Sequence, residues 1–336
     1  MRSLFSFNRL PWAMALCLSA LAALRVHAEP EKHEQSVPLR THSIYMPYID
    51  QDLQNRWFDF GGDTVINTNH QIRLASDRQS QTGWLWSRLV CRYAEQRPLT
   101  ASNFQIEFEF KVDGQSPSLY GDGFAFWISK QRAISGPVFG FIDKFEGLGI
   151  FFDTYPNNRR HHHSFPYVMA MVGDGETSYD NDNDGKSTEL AGCEADFRSK
   201  SVPTKARVTF YSNNYLELKL QYKAWDEWED CFTIPNVTLP SVSYLGFSAI
   251  TGDVHGVYEL AGILWLDNHD IISVSASTLI ALPPNKPARS MKPVRTMKSG
   301  WWTVFMWYLK LVAVGTVVMV GILVYRMYGS QNRKRF

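Results

Sequence analysis

Over residues 104–112 apolar and polar side chains alternate without a break, with Phe104, Ile106, Phe108, Phe110 and Val112 on one side and Gln105, Glu107, Glu109 and Lys111 on the other. A period of two predicts a β-strand with one face in a core and the other in water. Shorter apolar or alternating runs, bounded by Gly, Asn, Asp or Pro, recur at residues 123–128, 148–153, 167–172, 206–211, 215–222, 244–250 and 271–276. Each reads as a further strand. No stretch from Tyr45 to about Leu282 carries a convincing helical period, so residues 45–282 read as one all-β domain. The number and even spacing of the strands favour a two-sheet sandwich.

The two ends of the chain follow other patterns. Arg2 and Arg9 precede an apolar run over residues 10–24 and a small-residue exit at Val26-His27-Ala28, which reads as a signal peptide over residues 1–28. Residues 301–325 are mostly apolar and long enough to cross a hydrocarbon core of ~30 Å as a single helix. Lys310 interrupts them: either its ammonium snorkels toward the lumenal headgroups or the span begins near Leu311. Trp301, Trp302, Trp307 and Tyr308 form one interfacial belt, and Tyr325 and Tyr328 a second. From Ser277 onward the composition turns rich in Pro, Lys and Arg without a heptad, so residues 283–300 read as a flexible lumenal stalk and residues 326–336 as a cytoplasmic tail. This is a single-pass type I arrangement, and with no coiled coil the chain is expected to be monomeric or weakly associating.

Composition narrows the function classes. The 34 basic residues nearly cancel the 33 acidic ones, leaving no global field for nucleic acid. Of the four cysteines, Cys17 leaves with the signal peptide, so Cys91, Cys193 and Cys231 face an oxidising lumen and cannot all pair within the chain. A Cys193–Cys231 bridge would close a loop of roughly 40 residues, worth about 3 to 4 kcal/mol by chain entropy. Cys91, after apolar Leu89 and Val90, reads as a buried free thiol. Asn236-Val237-Thr238 is a glycan acceptor sequence that has meaning only in such a compartment.

Acidic and amide side chains gather in two runs, Phe151-Phe152-Asp153-Thr154-Tyr155-Pro156-Asn157-Asn158 and Tyr179-Asp180-Asn181-Asp182-Asn183-Asp184-Gly185. Hard oxygens at that density suit calcium. The second run opens like an EF-hand loop at Asp180, Asp182, Asp184 and Gly185, but its twelfth position is Ala191 in place of the bidentate Glu. In the first run a strand end delivers Asp153 into a turn fixed by Pro156, so that the Tyr155 carbonyl and the Asn157 side chain can face one ion. Either two segments share one calcium, or both are Asx-rich turns that satisfy their own backbone. His161, His162 and His163, close to the first run, read as a solvated loop in preference to a transition-metal site.

Across roughly residues 45–336 the chain resembles the leguminous-type (L-type) lectins of the secretory pathway, especially the vesicular integral membrane mannose lectins. The resemblance rests on Gly121-Asp122-Gly123-Phe124-Ala125-Phe126-Trp127, Gly136-Pro137-Val138-Phe139-Gly140, Phe152-Asp153-Thr154-Tyr155-Pro156-Asn157, Thr188-Glu189-Leu190-Ala191-Gly192-Cys193, Thr251-Gly252-Asp253 and Asp267-Asn268-His269-Asp270-Ile271-Ile272. It implies a legume-lectin-like β-sandwich, a jelly roll, with Ca2+ held by Asp153, the Tyr155 carbonyl, Asn157 and Asp184. It implies that mannose is gripped by Asp122 and Asn157, with help from Ser80 and from Gly252, Asp253 and Val254, and that the peptide before Asp122 is cis. Where these lectins carry a sugar-contacting His, this chain has Asn181, whose amide still donates and accepts but neither stacks nor titrates. The family's disulfide corresponds to Cys193 and Cys231. The terminal Arg333, Lys334, Arg335 and Phe336 resemble the signals that engage vesicle coat proteins.

The resemblance therefore implies a calcium-dependent lectin for high-mannose N-glycans, acting as cargo receptor or quality-control factor in the endoplasmic reticulum, the intermediate compartment and the Golgi membrane. Two other classes stand beside it. A glycoside hydrolase on a jelly roll needs a pair of carboxylates flanking the scissile bond. Glu107 and Glu109 alternate on the wet face of a strand, however, and Glu194-Ala195-Asp196 lacks the third member of the usual Glu-x-Asp-x-x-Glu pattern. An adhesion or scaffold module that kept the sandwich and lost sugar binding is the remaining alternative, raised by Asn181.

Overall fold

The computed structural model describes residues 36–88, 99–114, 121–158, 163–252 and 267–280. The signal peptide, stalk, membrane span and tail expected from the sequence lie outside these residues, as do Cys91, His161, His162, Asp253 and Val254. The chain divides into Met1–Ala288 and Arg289–Phe336, and every described residue belongs to the first unit. Among the described residues no helix is long and apolar enough to cross a membrane.

The strands are β1 (Ser36–Pro38), β2 (Phe58–Gly62), β3 (Val65–Asn67), β4 (Gln71–Ala75), β5 (Thr82–Ser87), β6 (Asn103–Gly114), β7 (Gly123–Ser129) and β8 (Glu146–Asp153). They continue as β9 (Tyr167–Asp174), β10 (Ala191–Glu194), β11 (Thr204–Tyr211), β12 (Tyr215–Gln221), β13 (Glu229–Pro235), β14 (Tyr244–Ile250) and β15 (Asp267–Leu279). They form two antiparallel sheets. One runs β13-β12-β11-β6-β15-β4-β3, with β1 added on β15, and the other runs β10-β9-β8-β7-β14-β5-β2.

The alternation in the sequence decides what faces the space between the sheets. Phe104, Ile106, Phe108, Phe110 and Val112 of β6 are buried there, while Lys111 on the opposite face is exposed. Phe108 stacks on Phe126 of β7 with centroids 5.4 Å apart and meets Phe247 of β14 edge-on at 5.0 Å. Full burial of a side chain of this size contributes about 1.5 to 3 kcal/mol. β7 is buried along its whole length because both faces are covered. Phe124, Phe126 and Ile128 face the main core, while Ala125 and Trp127 face a second core with Phe141, Phe145, Phe151, Met169 and Met171. Trp127 Nε1 donates to Ser248 Oγ at 2.8 Å, and Ser248 Oγ donates to the Phe139 carbonyl at 2.7 Å, which pins the loop after β7 over that face.

β15 is longer than the run 271–276 read from the sequence, at both ends. It begins at Asp267, fully buried and paired with Arg198 at 2.8 Å; Asp270 is likewise buried and paired with Arg73 at 2.8 Å. Buried carboxylates persist only when so paired, and this pairing lets a polar stretch serve as strand. At its far end Ser277–Leu279 pair with β1, so the strand continues past the point where the stalk-like composition begins. The Cys193–Cys231 disulfide joins β10 to β13, the terminal strands of the two sheets, with Cα atoms 5.3 Å apart. Strand register defines two ends of the sandwich. Asp267 lies against Gly114 at one, and Thr278 against Phe104 at the other, where β15 ends at Leu279.

His42 lies buried in the 3-10 turn Arg40–His42, its Nε2 without a hydrogen-bond partner, and burial lowers its pKa from 6.5 to about 4. The unfolded chain thus takes up a proton that the folded chain refuses until the lower value, and stability falls as pH drops through that window. The loss should reach about 2 kcal/mol between pH ~6.5 and ~5. Urea unfolding of His42→Asn should show a pH dependence weaker by that amount; an unchanged dependence would contradict the assignment.

Candidate functional site

One end of the seven-stranded sheet gathers the residues singled out by the sequence. Gly123, Asp153 and Ile250 lie side by side in the register of β7, β8 and β14, and Thr82 of β5 pairs with Ile250. The segments that enter or leave these strands here carry Ser80, Asp122, Asn157 and Gly252. This is the same end as Asp267, because Asp77, beyond β4, donates its N–H to Asn268 Oδ1 at 3.1 Å. The site and the C-terminal end of β15 therefore occupy opposite ends of the sandwich.

Asp122 is held by its backbone. The Gly121–Asp122 peptide is cis, as the resemblance implied. The Asp122 carbonyl accepts from Thr154 N–H at 2.9 Å and from Thr154 Oγ1 at 3.0 Å, while Asp122 N–H donates to the Ile250 carbonyl at 3.4 Å. Gly252 lines one side of the cradle: a Cβ there would stand 3.0 Å from Asp122 Oδ1, so a larger residue would press on that carboxylate. Thr251, buried beside it, accepts at Oγ1 from Gln81 N–H at 2.9 Å and donates to the Arg78 carbonyl at 2.5 Å. Its hydroxyl ties the turn bearing Ser80, which has φ 53°, to the loop bearing Gly252. Thr154 and Thr251 were not among the site residues expected from the sequence, because a threonine in a turn gives no sign of which carbonyl its hydroxyl will meet.

The two acidic and amide runs come together. Asp184 accepts from Asn157 N–H at 2.8 Å and from Asn158 N–H at 3.3 Å, and Asn158 Nδ2 donates to Asn183 Oδ1 at 2.9 Å. The second run also satisfies itself, through Asn183 Nδ2 to Asp180 Oδ2 at 2.7 Å and Gly185 N–H to the Asp180 carbonyl at 2.8 Å. Asn181, exposed, opens the 3-10 turn Asn181–Asn183. Gly185 has φ +69°, and a Cβ on it would enter the Tyr179 ring at 2.3 Å, so this glycine lets the run fold back over Tyr179. The run lies between β9 and β10 with no α-helix on either side, which disposes of the EF-hand reading.

Asp153 is the electrostatic focus. It is 4% exposed, its carboxylate accepts from Tyr155 N–H at 2.9 Å, and among the described residues no lysine or arginine pairs with it. Burial pushes its pKa well above the usual carboxylate range, and the Asp184 and Asp122 charges push it further, against the Tyr155 N–H. Among the described residues no three His, Cys, Asp or Glu side chains form a metal cluster; the expected set draws only two carboxylates, from Asp153 and Asp184, and takes its other oxygens from a carbonyl and an amide. An oxygen-only set around an unpaired buried carboxylate fits a hard divalent cation. His163 instead stacks on Tyr167 at 4.3 Å, 3.9 Å from Glu189.

The Legume-like lectin family model matches residues 35–280. The chain belongs to the legume-like lectin family. A mouse VIP36-like protein is 35% identical over 88% of this chain and 85% of its own length. An L-type lectin-like domain-containing protein of Schizosaccharomyces pombe is 40% identical over 66% of this chain and 69% of its own. Canine vesicular integral-membrane protein VIP36 is 38% identical over 72% of this chain and 62% of its own. The crystal structure of the VIP36 exoplasmic/lumenal domain in its Ca2+/Man2-bound form superposes with a TM-score of 0.64 at 36% identity, over 74% of this chain and 91% of that one. Members of this legume-like family are carbohydrate-binding proteins and not enzymes, so the hydrolase alternative falls.

Replacing Thr251 by Val keeps the side-chain shape and removes the bridging hydroxyl. Two hydrogen bonds are lost, about 1 to 3 kcal/mol of unfolding free energy in urea, and Thr251→Ser should cost clearly less. Equal losses in the two variants would contradict the bridging role.

Proposed function

We propose that this chain is a calcium-dependent lectin that binds high-mannose N-glycans on secretory glycoproteins and serves ER–Golgi transport as a cargo receptor or quality-control factor. The observation that carries this reading is the buried Asp153 carboxylate, acted on by two like charges and, among the described residues, with no cationic side chain to offset it. In support, relatives crystallised as the VIP36 lumenal domain hold Ca2+ with Man2 and with Man3GlcNAc.

In this reading the ion would be held by Asp153, the Tyr155 carbonyl, Asn157 and Asp184, and it would supply the positive charge that offsets the buried Asp153 carboxylate. The chain's own residues do the recognising. Asp122, fixed through its carbonyl by Thr154, presents a carboxylate to sugar hydroxyls, and the Asn157 amide faces the same hexose. The loop at Gly252 would lie beside the ring, and the family resemblance assigns further sugar contacts to Ser80, Asn181, Asp253 and Val254. Each hydrogen bond to a charged group contributes roughly 1.5 to 3 kcal/mol. A signal peptide, a membrane span over 301–325 and a basic tail ending in Phe336 would keep the cradle in the lumen and offer the tail to coat proteins.

Lumenal residues 29–290 should be retained on mannose resin in calcium and released by chelator. Asp122→Asn should lower affinity about tenfold or more, as expected for one lost charged hydrogen bond; retention after chelation, or an unaffected Asp122→Asn, would overturn the proposal. Calcium at about 100 times its dissociation constant should add about 2.7 kcal/mol of stability at neutral pH. Since the raised pKa of Asp153 makes protons compete with the ion, that increment should shrink as pH falls and vanish in Asp153→Asn. An increment independent of pH would count against Asp153 as a ligand.

A further inference from the structure

We propose that Asn236 carries an N-linked glycan, and that this glycan screens the open edge of β13. The proposal rests on the lumenal location in the reading above and concerns the opposite end of the molecule. Asn236-Val237-Thr238 is the single Asn-x-Ser/Thr sequence in the 336 residues. Asn236 and Thr238 are exposed while Val237 between them is buried, so packing of the middle residue presents the acceptor amide and the hydroxyl to solvent. Asn236 turns the chain at φ 57°, its N–H held by the Asn214 carbonyl at 2.9 Å.

Among the described residues β13 ends its sheet, with β12 as its one neighbour in the ladder. A terminal strand offers unpaired backbone groups to a second chain unless charge, proline or bulk prevents it. Glu229 and Asp230 blunt the start of β13 and Pro235 its last residue, but Phe232, Thr233 and Ile234 between them carry no charge. Asn236 follows Ile234 by two residues, roughly 7 Å along an extended chain, within the sweep of an attached oligosaccharide. Pro235 pairs with Tyr215, which pairs with Tyr211 and through it adjoins Asn103, so Asn236 lies at the end of the sandwich where β15 finishes. A glycan there leaves the Asp122 cradle of its own chain open.

The test uses the full-length protein made in cells with a secretory pathway. Peptide N-glycosidase should shift the wild-type band by one glycan, and Asn236→Gln and Thr238→Ala should each abolish the shift. Protein that has formed the Cys193–Cys231 disulfide yet shows no shift would overturn the acceptor assignment while leaving the lumenal reading intact. Enzymatic removal of the glycan after folding should lower, by about tenfold, the concentration at which detergent-solubilised chains cross-link to one another, with retention on mannose resin unchanged. Equal cross-linking of glycosylated and stripped protein would overturn the screening role.

Discussion

A buried carboxylate that no cationic side chain among the described residues offsets is the constraint around which this end of the molecule is organised. Asp153 is the last residue of a strand whose apolar residues are buried on both faces, and it is buried with them. Asp184 and Asp122 both act on it electrostatically. Such an arrangement is unstable by itself at neutral pH and becomes favourable with a divalent cation among the oxygens. In the proposed reading the cost of burying Asp153 would be converted into affinity for the ion, and the ion would in turn orient the amide and carboxylate offered to the sugar.

Those groups need a scaffold that fixes strand ends to within a fraction of an ångström. Two aromatic cores provide it. Phe124 and Phe152 stack at 4.5 Å directly behind Gly123 and Asp153, and Phe139, Phe151 and Tyr179 pack on the outer face of the same strands. The loop bonds of Thr154 and Thr251 then carry that rigidity the last few residues into the cradle. The disulfide fastens the opposite flank of the sandwich, between the two terminal strands, where there is no continuous ladder to resist opening.

Much of this was legible in the sequence, and what was not has identifiable causes. β6, β7, β8, β9, β11, β12 and β14 announced themselves because each buries a run or an alternation of apolar side chains. β2 and β3 did not: one ends in paired glycines and the other is three residues long. β13 lies on an edge and mixes charge with apolar residues, and the start of β15 is polar because its carboxylates are buried against arginines distant in sequence. At the site, the two acid and amide runs were visible as composition. Their meeting through Asp184 and the Asn157 N–H depends on chain reversal over Tyr179, which local pattern does not encode. The sugar-binding roles proposed for Asp122 and Gly252 come from family resemblance alone; the geometry shows only that the two residues lie against each other.

The most direct test is calorimetric titration of the chelator-stripped lumenal domain, first with calcium and then with a mannose disaccharide. The account predicts one ion bound per domain, and heat from the sugar only after the ion is present. Sugar binding of equal strength without the ion, or no ion bound at all, would contradict it.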